Sequence, residues 1–319
     1  MKMLYFSMIK LTDFRNAFNR IRSKIHYTPV LTNQSLNYLT GSNLFFKCEN
    51  FQKSGSFKIR GVMNKLLQLS KEELLNGVVT ASSGNHGAAL SLSVKELGIH
   101  AKVVMPRDTS KVKLNNVKRY GGEIIWCEPN QFSREEILKN TLDESLGYLI
   151  HPYDDKQIII GQGTVALELI EEHPDLDIII CPVSGGGLIS GIAYYASLAG
   201  ENIRVYGAEP KEADDTFRSL KSGKIEKNNT TNTICDGLRA QVGKLNFSII
   251  KDKVEEIITV PEKEIIKAQR MILERMKIII EPSCSIALAA IIQNKHIFKS
   301  KKVGVVLSGG NVDLDNLPW

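Results

Sequence analysis

The chain has little from which to build a disulfide framework, a membrane span or a nucleic-acid surface. Its five cysteines (Cys48, Cys127, Cys181, Cys235 and Cys284) are odd in number and widely separated, so reduced thiols are expected. No apolar run reaches the roughly 18 residues of a spanning helix. The apolar start, residues 1–8, is short, is interrupted by Lys2 and lacks a small-residue cleavage site. Runs of five or more like charges are also missing, so the net charge of +6 is diffuse and reads as a solvated surface. These absences predict a soluble, cytoplasmic protein with neither a membrane nor a nucleic acid as partner.

What the chain does have is alternation. Short apolar runs at 44–48, 77–80, 101–105, 123–126, 177–181, 204–208 and 302–307 read as strands. Between most of them lie helical patterns, at 85–97, 133–146, 164–172 and 261–276. In the last, Ile265, Ile266, Ile272, Leu273 and Met276 make one apolar face. Strands that alternate with helices predict parallel sheets and an α/β fold. The segment 221–233 is the most loop-like.

Five short motifs stand out, most of them just beyond a strand. In Lys53-Ser54-Gly55-Ser56-Phe57-Lys58-Ile59-Arg60-Gly61, Gly55 and Ser56 are expected to turn and cap a helix over 57–69, which puts Lys58 in its first turn. There the helix dipole lowers an amine's pKa, although a lone lysine is more often a solvated charge. Ser82-Ser83-Gly84-Asn85-His86-Gly87 follows a strand and offers N–H groups and hydroxyls to an anion such as a carboxylate; a plain cap by Ser83 or Asn85 is the alternative. Ser184-Gly185-Gly186-Gly187-Leu188 can converge N–H groups on a phosphate, or can be a structural glycine turn. It has neither the lysine of a P-loop nor a dinucleotide fingerprint, which argues against an ATPase or dehydrogenase. Ser308-Gly309-Gly310-Asn311 is by itself a generic turn. Glu209 and Asp215, within Glu209-Pro210-Lys211-Glu212-Ala213-Asp214-Asp215, offer hard oxygens to a cation or belong to an acidic surface loop.

Taken in this order, from Tyr27 to Asn311, the motifs resemble the tryptophan-synthase-β-like, fold-type II pyridoxal-phosphate (PLP) enzymes, in the branch of serine racemases and serine/threonine dehydratases. The resemblance implies two open, twisted, mostly parallel sheets flanked by helices. A large PLP-binding domain would span 1–76 and 156–319, and a small mobile domain 77–155. It implies that Lys58 is the Schiff-base lysine, that Phe57 adjoins the cofactor ring and that Asn85 hydrogen-bonds its phenolic oxygen. Ser184, Gly185, Gly186, Gly187 and Leu188 would cradle the phosphate, and Ser308 would face the pyridine nitrogen with Gly237 and Glu281 nearby. Lys58 and Ser83 would be the acid/base pair on the two faces. Ser82, Ser83, Asn85, His86 and Arg134 would receive the substrate.

The same resemblance gives Glu209, Ala213 and Asp215 to a divalent cation, Mg²⁺ or else Ca²⁺ or Mn²⁺. Lys53 and Ser54 fall where animal relatives contact an activating ATP at a homodimer interface. At His151-Pro152-Tyr153-Asp154-Asp155 the chain departs from those relatives and carries the Tyr-Asp version of many dehydratases. With Trp319 following soon after the last motif, no regulatory domain of the threonine-deaminase kind is expected. The implied activity is interconversion of L- and D-serine with dehydration to pyruvate and ammonia. A dehydratase proper, acting on L-serine, L-threonine or L-threo-3-hydroxyaspartate, is the alternative.

Overall fold

The computed structural model describes residues 9–200 and 202–319, so the apolar start at 1–8 lies outside the described residues. Among the described residues ten strands form two sheets. The larger contains β1 (Val30–Leu31), β2 (Asn43–Cys48), β7 (Ile178–Pro182), β8 (Arg204–Pro210), β9 (Glu256–Val260) and β10 (Lys302–Leu307), in the order β1-β2-β10-β7-β8-β9. The smaller contains β3 (Val78–Ala81), β4 (Ala101–Pro106), β5 (Glu123–Cys127) and β6 (Tyr148–Leu149), in the order β5-β4-β3-β6. Every pairing is parallel except β1 with β2.

Burial follows from the crossovers. Residues of β7 such as Ile178 and Ile179 are buried on both faces, because helices cover each side of a parallel sheet. One face packs on the helices Lys156–Glu172 and Gly187–Leu198 and the other on Pro282–Gln293. Among the described residues no helix is long and apolar enough to cross a membrane. All five cysteines are free and buried.

The sequence expectations need correction at their edges. The helix expected over 57–69 is Lys58–Leu66; its N-cap is Phe57, and no side chain caps it. Ser56 is extended and bridges to Gly309 instead of capping. Helix Asp215–Ser222 reaches into the start of the loop-like segment. Strands β1, β6 and β9 were not expected. Two residues carry no periodicity, and β9 is a short edge strand whose first residue, Glu256, is exposed.

A buried ion cluster ties the Lys58 helix to the larger sheet. Arg60 Nε lies 2.7 Å from Glu49 Oε2 and its Nη1 2.6 Å from Glu168 Oε1, while Lys47 Nζ lies 2.6 Å from Glu168 Oε2. All four side chains are fully buried, and two cations balance two anions. Arg60 thus fixes the helix that begins at Lys58.

Candidate active site

The carboxyl ends of parallel strands collect the motifs, as expected for ligands of open α/β sheets. The turns after β3, β7 and β10 all line one cleft. Its walls include Phe57, Lys58, Ser82, Ser83, Asn85 and His86, then Arg134, Ser184 to Leu188, Gly237, Glu281 and Ser308. The link between the first motif and the last is a backbone hydrogen bond, in which Phe57 N donates to Ser308 O at 3.1 Å.

Lys58 Nζ donates to the Pro152 carbonyl at 3.1 Å. Burial pushes its pKa down to about 8 and the Arg134 charge adds to this, against an opposing pull from Glu281. The lysine is therefore a ready nucleophile, unlike a solvated surface charge. Of the two serines beside β3, Ser82 is the one that caps: its hydroxyl accepts from Gly84 N at 3.1 Å and Gly87 N at 3.0 Å. Ser83, which with Asn85 was the alternative candidate for the cap, lines the cleft. His86 Nε2 lies 3.3 Å from Ile150 O, and burial followed by the Lys58 charge keeps this ring well below its ordinary pKa.

The glycine turn fits an anion. Helix Gly187–Leu198 has glycine, Gly186, as its N-cap residue, so no side chain of that residue caps an end where N–H groups and the dipole favour a phosphate. Gly186 takes φ +91°, and a Cβ on Gly185 would sit 2.4 Å from Tyr153 Cγ. Ser184 hooks this turn to the neighbouring loop, its hydroxyl accepting from Ala240 N at 3.1 Å. A desolvated lysine, a helix start lined with glycine and a hydroxyl at Ser308 together suit the amine, phosphate and pyridine recognition that PLP requires.

Asn85 is held on both sides. Its Nδ2 donates to Glu281 Oε1 at 2.6 Å, and its Oδ1 accepts from Asn311 Nδ2 at 2.9 Å. Arg134 Nη2 donates to Ala81 O at 2.9 Å. Gly237 N donates to Ser283 Oγ at 3.0 Å. Lys53 and Ser54 lie in the turn Lys53–Gly55 and do not line the cleft; Lys53 Nζ is 3.4 Å from Glu96 Oε1.

Glu209 and Asp215 are both buried, away from the cleft, with no Lys, Arg or His in ion-pair distance among the described residues. Backbone N–H groups of Thr216 and Phe217 donate to Glu209, and that of Val242 to Asp215. Burial and then the Asp215 charge hold Glu209 well above the usual carboxylate range, while burial raises Asp215 to about 6. No group of three or more His, Cys, Asp or Glu side chains gathers here among the described residues, so a cation would need carbonyl or water oxygens as well. Two uncompensated buried carboxylates fit that role.

Sequence reasoning missed Lys113, Asp236, Tyr153 and Arg239, which also line the cleft. Lys113 is one of several lysines in a polar helix, Lys111–Arg119, and nothing local marks it.

Fold and site together define an α/β enzyme that holds an anionic cofactor beside a nucleophilic lysine. A family model described as pyridoxal-phosphate dependent enzyme matches residues 21–309, and the chain belongs to that family. It is 49% identical over 314 residues to a serine racemase of Arabidopsis thaliana, covering 96% of this chain and 94% of the relative. It is 44% identical over 307 residues to a beta-hydroxyaspartate dehydratase of Paracoccus denitrificans, covering 96% and 98%. The solved structure of maize serine racemase matches with a TM-score of 0.92 at 46% identity, over 96% of this chain and 94% of that one.

Proposed function

We propose that the chain interconverts L-serine and D-serine and, from the same site, converts serine to pyruvate and ammonia. The observation that carries this reading is the meeting of Lys58 and Ser83 in one cleft, each on a different element, with neither group consumed by an ion pair or a helix cap among the described residues. When bound, pyridoxal phosphate draws electrons from the α-carbon of an attached amino acid and so acidifies its proton. Lys58 Nζ takes or returns that proton on one face, and Ser83 Oγ does so on the other. Racemisation uses both groups. Dehydration needs one α-proton removed and the β-hydroxyl lost with it as water; the enamine released then takes up one water and gives one pyruvate and one ammonia.

In this reading the turn from Ser82 to His86, with Arg134, receives the substrate carboxylate. The turn from Ser184 to Leu188 holds the phosphate, Phe57 packs by the ring and Asn85 has one amide hydrogen left for the phenolic oxygen. Ser308 meets the pyridine nitrogen, and a hydroxyl there does not hold that nitrogen protonated. Glu209, Asp215 and the Ala213 carbonyl take a divalent cation such as Mg²⁺. The unit 77–155 moves against the rest of the chain, and the protein works as a cytoplasmic homodimer. Pairing of Lys53 with Glu96 argues against a nucleotide contact there.

The test is incubation of purified protein with L-serine, with D-serine and pyruvate measured separately. Both products are expected. Pyruvate without D-serine rejects the racemase reading, and absence of a visible cofactor band that borohydride removes rejects the cofactor itself.

A dehydratase for a dicarboxylic substrate is the second reading, favoured by two arginines at the mouth. Arg134 and Arg239 line the cleft, and neither has a carboxylate in ion-pair distance among the described residues. They suit the second carboxylate of 3-hydroxyaspartate. Arg239→Ala is expected to raise KM for that substrate about 10-fold or more and to leave serine little changed.

A further inference from the structure

Helix Lys111–Arg119, which packs on the smaller sheet, reaches across to the larger one through two side chains a turn apart. Lys113 Nζ lies 2.6 Å from Asp236 Oδ1 and 2.9 Å from Glu281 Oε2. Asn116 Nδ2 donates to Asn311 Oδ1 at 3.1 Å. Asn311 in turn donates to Asn85, and Asn85 to Glu281, at 2.9 and 2.6 Å. The contacts therefore run Asn116, Asn311, Asn85, Glu281, Lys113 and return to the helix they left.

The lysine stem runs under the turn that carries Ser83. A Cβ on Gly84 would lie 2.3 Å from Lys113 Cδ, so glycine there admits the stem and the stem props the turn. Lys58 is held in place by contacts outside that ring, its hydrogen bond to the Pro152 carbonyl and the Arg60 cluster two residues along its helix, and senses the ring only through the charge of Glu281.

We propose that Lys113 is a positioning residue that closes the smaller sheet's helix onto Asp236 and Glu281, sets the Ser83 turn against Lys58, and thereby decides the ratio of racemisation to dehydration. This rests on the two-face reading given above. Loss of the ammonium leaves two carboxylates without their cation and unties the stem that props Gly84, so the turn shifts. A displacement near 1 Å at a reacting group costs up to about 100-fold in rate. The loss falls on the step that needs Ser83 and spares proton removal by Lys58.

The experiment compares wild-type holoenzyme with K113M, K113R and D236N, from each serine enantiomer, with the opposite enantiomer and pyruvate measured in the same samples. Ser83→Ala identifies the enantiomer whose α-hydrogen faces Lys58. From that enantiomer, K113M is expected to lower the racemisation-to-dehydration ratio about 10- to 100-fold. K113R keeps a cation between the carboxylates and recovers most of the ratio. D236N removes the more exposed partner and shifts the ratio the same way by less, which keeps the test available if K113M does not fold. An unchanged ratio in K113M or D236N, equal loss of both products, or K113R no better than K113M overturns the proposal. Wild-type protein that makes pyruvate alone overturns the racemase reading and this inference with it; wild-type protein that makes both products separates the two.

Discussion

The Lys58 ammonium is hydrogen-bonded to the Pro152 carbonyl oxygen at 3.1 Å and forms no ion pair among the described residues. A neutral acceptor orients the amine without stabilising its charge as a carboxylate would, which leaves burial free to lower its pKa. Pro152 belongs to the segment that leaves the smaller sheet for helix Lys156–Glu172, so the contact also joins the two sheets.

The first prediction concerns that amine. In protein stripped of cofactor, capture of an added aldehyde at Lys58 requires the neutral amine. Its rate is expected to rise with pH and level off above about 8, where an ordinary lysine would still be rising toward 10.5. Stopped-flow absorbance across pH 6 to 10 measures it, and a rise that continues to the ordinary lysine range contradicts the assignment. Lys58→Ala should lower formation of both products by at least ~10³-fold.

Ser83→Ala is expected to lower racemisation in both directions by about 10²- to 10⁴-fold, with dehydration retained for one enantiomer only. The Ser82 cap stays intact in this variant, so the turn keeps its shape. Chiral chromatography with a coupled pyruvate assay reads both products. Equal loss of every reaction would contradict the two-face assignment.

Thermal unfolding tests the carboxylate pair. With Mg²⁺ at a hundredfold excess over its Kd, binding to the folded state adds about 2.7 kcal/mol and raises Tm by several degrees. Asp215→Asn is expected to abolish that rise and to leave the Tm in chelator little lowered, since burial disfavours the charge it removes. A Tm that ignores Mg²⁺ in the unaltered protein rules out this cation site.

Arg60→Met leaves Glu49 and Glu168 buried, with Lys47 as their remaining cation. Breaking such a cluster costs about 3–5 kcal/mol. Calorimetry should find a Tm lowered by roughly 10 °C. A loss under 1 °C would mean that water reaches these groups.

Two lysines of the cleft differ in how far their neighbours along the chain mark them. Lys58 was legible because it stands in a local pattern, beside Ser56, Phe57 and Arg60, and because other motifs follow in a set order. The same holds for Ser83, Asn85, the glycine turn and Ser308, each at a strand end where short-range chemistry dictates residue type. Lys113 carries no such mark. Its importance comes from Asp236 and Glu281, more than a hundred residues away, and the same is true of Arg60 with Glu168.

The sequence by itself determined the alternation of strands and helices, hence the parallel α/β architecture, because hydrophobic period and turn chemistry act within a few residues. It also put the glycine- and hydroxyl-rich turns at the ends of strands. Tertiary structure alone decided the strand order, the capping by Ser82 where Ser83 or Asn85 had been the candidates, and the ring through Lys113, Glu281, Asn85, Asn311 and Asn116. Those depend on which distant side chains meet at a few ångströms, and burial there turns an ordinary surface-type lysine into a buried ion pair.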